Sequence, residues 1–226
     1  MKKPLNQYTG FLSASQTAHG INAAALNARR LAEDAQLLHD AGRFPSAASL
    51  AILALEELGK STILRQLFLA NSEKELAEQW RRYRKHTQKN YFALMPDLMG
   101  RGAAKLYDLK ELFAKEGELH RATYDTVKQL GFYTDCCGIA HWSIPSEVID
   151  GTLAAFLVSL ATALSKEKQP VTTKELDLWK FHMSAGCTQT NLLRWCSAMV
   201  EAGLKPPGYV EEMRHFTQDS QTNSVH

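Results

Sequence analysis

The side chains best suited to chemistry lie between Trp80 and Tyr91, where Arg81, Arg82, Arg84, Lys85 and Lys89 surround one histidine, His86. An imidazole titrates near neutral pH and can move a proton, while neighbouring cations stabilise a phosphate as charge builds on it. Those residue types suit RNA cleavage through the 2′-hydroxyl, which needs no metal. Helical residues advance by about 100°, so Arg82, His86 and Lys89 share one flank, whereas Arg81 and His86 diverge by about 140° on an unbroken helix. Arg82 is then the better-placed partner of His86, and Arg81 serves only if the helix is irregular there. A solvated basic face is the alternative. Trp80, Tyr83 and Tyr91 interleave with the cations, as expected of a helix packed on one side and offering phosphate contacts on the other.

A second set, Glu56, Glu57, Gly59 and Lys60, ends the run AASLAILALEELGK from Ala47 to Lys60. Only Ser49 interrupts the apolar residues from Ala47 to Leu55, the mark of a helix surrounded by protein, and carboxylates at the end of such a helix need partners. Glu57 is placed to meet Arg82, Arg84 or His86 on the next helix, which would orient that group, with Lys60 alongside. Gly59 inside a helix costs about 1 kcal/mol relative to alanine, so it marks a close approach of a neighbour's backbone or a bound group. The competing reading is an exposed Glu56–Lys60 pair one turn apart, worth a few tenths of a kcal/mol.

Other combinations are weaker. His141 beside Trp142 could line a pocket, but Cys136, Cys137 and His141 lack zinc-site spacing, so neither metal nor cofactor is expected. No G-x-x-x-x-G-K-[ST] loop, G-x-S-x-G elbow or H-E-x-x-H motif occurs. The four cysteines do not form a disulfide framework, and reduced thiols are expected. A formal charge of +2 excludes a globally basic coat, leaving any anion to a local cluster. No run approaches the roughly 18 apolar residues of a bilayer span, and the start lacks a signal-peptide core, so a cytoplasmic chain is expected.

The elements that must position these residues are helical. Ile21, Ala24, Ala28, Leu31, Ala35 and Leu38 define a first helix over about 17–41, ended by Gly42, with Pro45 opening a second that runs to about Ala70. A third follows Asn71-Ser72, its buried stripe being Leu76, Trp80, Tyr83, Thr87, Tyr91 and Leu94, and Pro96 ends or kinks it. Helical character continues from Asp97 to Leu130. Residues 131–147 lack helical period and predict a packed loop anchored by Phe132, Tyr133 and Trp142, and no strand is expected anywhere. Ser146 opens an apolar helix to about Lys166. Helices over about 172–185 and 188–202 form a C-terminal extension spanning 169–213. Residues 1–14 read as a flexible arm and 214–226 as a disordered tail.

Three stretches in order, ARRLAEDAQLLHDAGRFPSAASLAILALEELGK (Ala28 to Lys60), RYRKHTQKN (Arg82 to Asn90), and GFYTDC followed by WSIP (Gly131 to Cys136, Trp142 to Pro145), resemble the AbiV family of bacterial abortive-infection proteins, a branch of the HEPN superfamily. The resemblance covers roughly residues 17–165. It implies an all-α, HEPN-like bundle over 15–168, to which the extension adds further helices. It also implies antiphage defence and, since many HEPN domains are metal-independent ribonucleases with an R-x4-6-H motif at a dimer cleft, a homodimer acting on RNA. Arg81 and His86 fit the R-x4-H form, although Arg82 stands where HEPN nucleases often have a small polar residue. Two functions follow. One is an endoribonuclease in which His86 is the general acid/base, Arg81 or Arg82 stabilises the phosphate, Glu57 and Lys60 organise them, and Arg84, Lys85 and Lys89 hold RNA, with Glu56, Gly59 and Trp142 as supports. The other is a non-catalytic defence protein that binds a phage protein, including a phage-encoded activator, or a translation component.

Overall fold

The computed structural model describes residues 7–84, 127–137, 141–166 and 169–222. Three long helices make the centre: α1 (Ala14–Asp40), α2 (Phe44–Leu69) and, much later in the chain, α5 (Gly151–Ser165). Between them come α3 (Glu73–Arg84), strands β1 (Asp135–Cys137) and β2 (His141–Ser143), and the single turn α4 (Pro145–Val148). After α5 follow α6 (Thr173–Met183), α7 (Gln189–Glu201) and α8 (Tyr209–Thr222). The fold is all-α, as the periodicity predicts, with one small hairpin.

Local chemistry sets the helix ends. Ser13 and Gln16 form a reciprocal capping box at the start of α1. At its end Gly42 takes φ +70°, and the Gly42 and Arg43 amides donate to the carbonyls of His39 and Leu38, a Schellman closure that turns the chain directly into α2. The antiparallel α1–α2 hairpin packs through alanines: Ala28, Ala32 and Ala35 of α1, Ala47, Ala48, Ala51 and Ala54 of α2, and Ala154 and Ala161 of α5 are all buried in one cluster. Side chains this small bring the backbones close, and Leu31, Ile52, Leu55, Leu157 and Leu164 fill the remaining space.

A second cluster forms where the N-terminal part of α1 and the C-terminal half of α2 meet α3. It holds Ile21, Leu64, Leu67, Phe68, Leu76 and Trp80, and it also takes in Leu176 from α6. A third, of Trp179, Met183, Trp195, Cys196, Met199 and Met213, draws its buried residues from α6–α8, with Leu69 of α2 packed against it. The expected arm meets α3: the Trp80 indole donates to the Gly10 carbonyl at 3.1 Å and packs edge-on to Tyr8.

Three expectations are corrected. Residues 131–147 are not an irregular packed loop, because Cys136 pairs with Trp142 and Cys137 with His141 in an antiparallel ribbon. Its aromatics are not anchors, since Phe132, Tyr133 and Trp142 are exposed. The helix expected from Ser146 is broken at Ile149, which is extended, and Asp150 recaps the chain by accepting from the Leu153 amide. In addition, α8 continues to Thr222, past Arg214, where polar composition predicts fraying. The expected course of the third helix beyond Arg84, and of the following segment as far as residue 126, lies outside the described residues.

Candidate functional site

The charged turn in the middle of α2 is built from two largely buried ion pairs facing different neighbours. Lys60 Nζ sits 2.5 Å from Glu57 Oε1, one turn away on the same helix, with both side chains 17% exposed. Glu56 reaches off the helix, accepting from Lys128 Nζ at 2.6 Å. Lys128 is the more deeply buried partner, and it belongs to a short helical stretch over 127–132 that lies across α2. Gly131 makes that approach possible. A Cβ there would fall 2.1 Å from Ser49 Oγ and 2.8 Å from the Pro45 carbonyl. The Ser49 hydroxyl itself donates to Pro45 O at 2.9 Å and lies 3.3 Å from Lys128 O.

Helix α3 meets this site through its aromatic face. Lys60 Nζ lies 5.5 Å from the centre of the Tyr83 ring, and Tyr83 packs edge-on to Trp80. An ammonium held by a carboxylate on one side and a ring face on the other is fixed in place, and the fixing groups come from both helices. The arginines lie elsewhere on α3. Arg81 pairs with Glu78 and is exposed, Arg82 donates to Gln79 at 3.0 Å, and Arg84 donates to the Tyr8 carbonyl at 3.0 Å while stacking over Trp80. Among the described residues, Glu57 therefore takes Lys60 as its partner, not Arg82 or Arg84, and the Glu56–Lys60 pair read from spacing gives way to Glu56–Lys128. Lys85, His86 and Lys89 lie outside the described residues, beginning one residue past the end of α3. Gly59 is buried in α2. Trp142 is exposed on β2, and no contact between it and the α2–α3 residues is seen among the described residues.

Lys128 was not singled out by sequence reading. One signal pointed to it: it is the last lysine or arginine before a run from Gln129 to Ser165 that contains none, so it is the cation next to the 131–147 segment. No group of His, Cys, Asp and Glu able to hold a metal occurs among the described residues. No helix among them is long and apolar enough to cross a membrane.

No curated protein and no solved structure matches the chain. The family model HEPN_AbiV, described as AbiV, matches residues 16–166, a span that begins in the first turn of α1 and runs to the end of α5, taking in the α2–α3 charged site. With that match over well more than half its length, the chain belongs to the AbiV family of HEPN-type abortive-infection defence proteins.

Proposed function

We propose that the chain is a metal-independent endoribonuclease of antiphage defence that halts phage propagation by cutting RNA or shutting down translation. The reading rests on one observation: Lys60, clamped by Glu57 and capped by the Tyr83 ring, ties the charged turn of α2 to the helix whose sequence runs on into Lys85, His86 and Lys89. In the chemistry proposed, the 2′-oxygen attacks the adjacent phosphorus as its proton leaves to a base, and the 5′-oxygen departs as it gains a proton. A 2′,3′-cyclic phosphate and a 5′-hydroxyl result. His86 serves as the group that moves a proton, and a neighbouring arginine or Lys60 meets the charge that builds on the non-bridging oxygens. The protein works as a homodimer in this reading, with RNA as substrate.

Incubation of the purified chain with total RNA in the presence of a chelator tests the proposal. Cleavage leaving cyclic-phosphate ends, abolished in His86→Ala and strongly reduced in Lys60→Ala, is the expected result. Folded protein that leaves RNA intact, or a His86→Ala variant as active and as toxic as the parent, would remove the nuclease reading. The second reading, defence by binding alone, is favoured by the way Glu56, Glu57, Lys60 and Lys128 satisfy one another.

A further inference from the structure

Among the described residues, exposed apolar side chains gather on the β1–β2 ribbon and its flanks, Phe132, Tyr133, Trp142, Ile144 and Val148, and the register places Trp142 and Ile144 on one face. Cys136 lies opposite Trp142, so both side chains leave the ribbon on one side, and Thr134 and Ile144, two residues along each strand, follow them. Exposure alternates accordingly: Thr134, Cys136, Trp142 and Ile144 are open to solvent, while Ser143 between the last two is buried. Tyr133, edge-on to Phe132 at 6.4 Å, lies before β1 at the parity of Asp135 and not of Cys136, and Val148 is exposed on α4 just after the ribbon. Tyr133 is 61% exposed and Trp142 59%. Trp142 and Ile144 are left exposed among the described residues, and an aromatic side chain open on a surface is a usual anchor of a protein interface.

Charge narrows the occupant. From Gln129 to Ser165 there is no lysine or arginine, whereas Asp135, Glu147 and Asp150 fall within the same stretch, Glu147 and Asp150 exposed. Nucleic-acid binding needs cations for the phosphates, and this segment supplies none. We infer that the outer face of the ribbon docks a protein segment presenting apolar side chains flanked by lysine or arginine. Trp142 and Ile144 form the apolar seat, and Glu147, exposed on the adjoining turn α4, supplies the opposing charge. None of these residues has a step in the proposed RNA cleavage, so a chain that cuts no RNA could still carry this surface.

The test titrates the full chain with a leucine–lysine amphipathic peptide, its leucine–glutamate counterpart and a single-stranded RNA oligomer, by calorimetry for affinity and tryptophan emission for location. Trp142 is exposed, whereas Trp80, Trp179 and Trp195 are buried, so a blue shift on binding reports the ribbon. Expected are a blue shift and saturable binding with the leucine–lysine peptide and not with its leucine–glutamate counterpart, weakened about tenfold or more in Trp142→Ala, as for a central aromatic anchor, and less in Glu147→Lys, with any RNA binding unchanged in both variants. Circular dichroism confirms that both variants fold. Equal binding of both peptides, or binding unaffected by either substitution, overturns the inference. So does RNA binding lost in Trp142→Ala, self-association lost in Trp142→Ala, or a Trp142 already shielded from acrylamide in the protein alone.

Discussion

At the residue scale, the Glu56–Lys128 pair is where burial and charge act together. The two side chains are 12% and 8% exposed, so removing one leaves the other charge in a poorly solvated place. Breaking a buried pair from one side costs about 3–5 kcal/mol, more than the pair itself contributes. Lys128→Met should therefore lower the denaturant-derived unfolding free energy by that order. Adding Glu56→Gln should recover part of the loss, and additive costs in the double variant would show that the groups do not depend on each other. Cys196 offers a pH prediction. Fully buried beside Met199 and Trp195, its thiol is pushed up from 9.0 to about 12 by desolvation, with Lys205 pulling the other way. In the folded chain the thiol keeps its proton where the unfolded chain has lost it, so its contribution to stability is present below about pH 9 and is lost as pH rises toward about 12. Melting temperature should fall over that window less steeply in Cys196→Ala than in the parent, and equal slopes would show that Cys196 does not set it. At neutral pH an alkylating reagent should leave Cys196 untouched while reacting with the exposed Cys136.

At the element scale, the approach of the 127–132 stretch to α2 depends on the missing side chain at Gly131. Ser49 Oγ can rotate away from an added methyl, but the Pro45 carbonyl belongs to the first turn of α2 and cannot. Gly131→Ala should cost about 1–3 kcal/mol as an overpacked contact and disturb the Lys128–Glu56 pair carried by the same stretch. Gly131→Ala in a Ser49→Ala background, read by thermal melting, separates the two contacts: full recovery would identify the hydroxyl rather than the carbonyl as the obstacle. Helices α1–α3 were legible in the sequence because their apolar residues repeat at three and four and Gly42, Pro45 and Ser72 mark the breaks. The ribbon was not. Its strands are three residues each, too short for alternation to rise above noise, and the exposed Trp142 within β2 and Ile144 just after it are residue types that composition alone assigns to a core. The break at Asp150 was hidden because Ser146 offered an equally good cap four residues earlier. For the candidate site, sequence reading found the charged turn of α2 and the basic helix but not their contact, since Lys60 meets α3 through the Tyr83 ring and not through a carboxylate–arginine pair. Lys128 escaped because its partner is 72 residues away.

At the scale of the whole molecule, helices α6–α8 lie wholly beyond the matched residues 16–166, yet α6 shares a core with α3. The Asn22 amide on α1 exchanges two hydrogen bonds of 2.9 Å with the Val171 backbone, completing a polar clasp at the entry to α6. Arg65 of α2 pairs with Glu175 at 2.5 Å and stacks over Trp179 at 5.2 Å, while Lys180 sits over Phe68. Between these contacts the fully buried Leu176 enters the cluster of Leu64, Leu67, Leu76 and Trp80. The helix leading into the basic residues is thus braced by α2, by the Tyr8–Gly10 segment and by α6, so loosening the extension should loosen α3. Arg65→Met tests this, because it leaves the Glu175 carboxylate, 12% exposed, without its cation while keeping an apolar body beside Trp179. Hydrogen exchange should rise at α6, α7 and α3, whereas the alanine-packed amides of α1, α2 and α5 around Ala35, Ala51 and Ala154 keep their protection. Faster exchange confined to α6 and α7 would mean that α3 is held by α2 and the N-terminal segment alone, and that the extension has no mechanical hold on the helix carrying Arg81, Arg82 and Arg84.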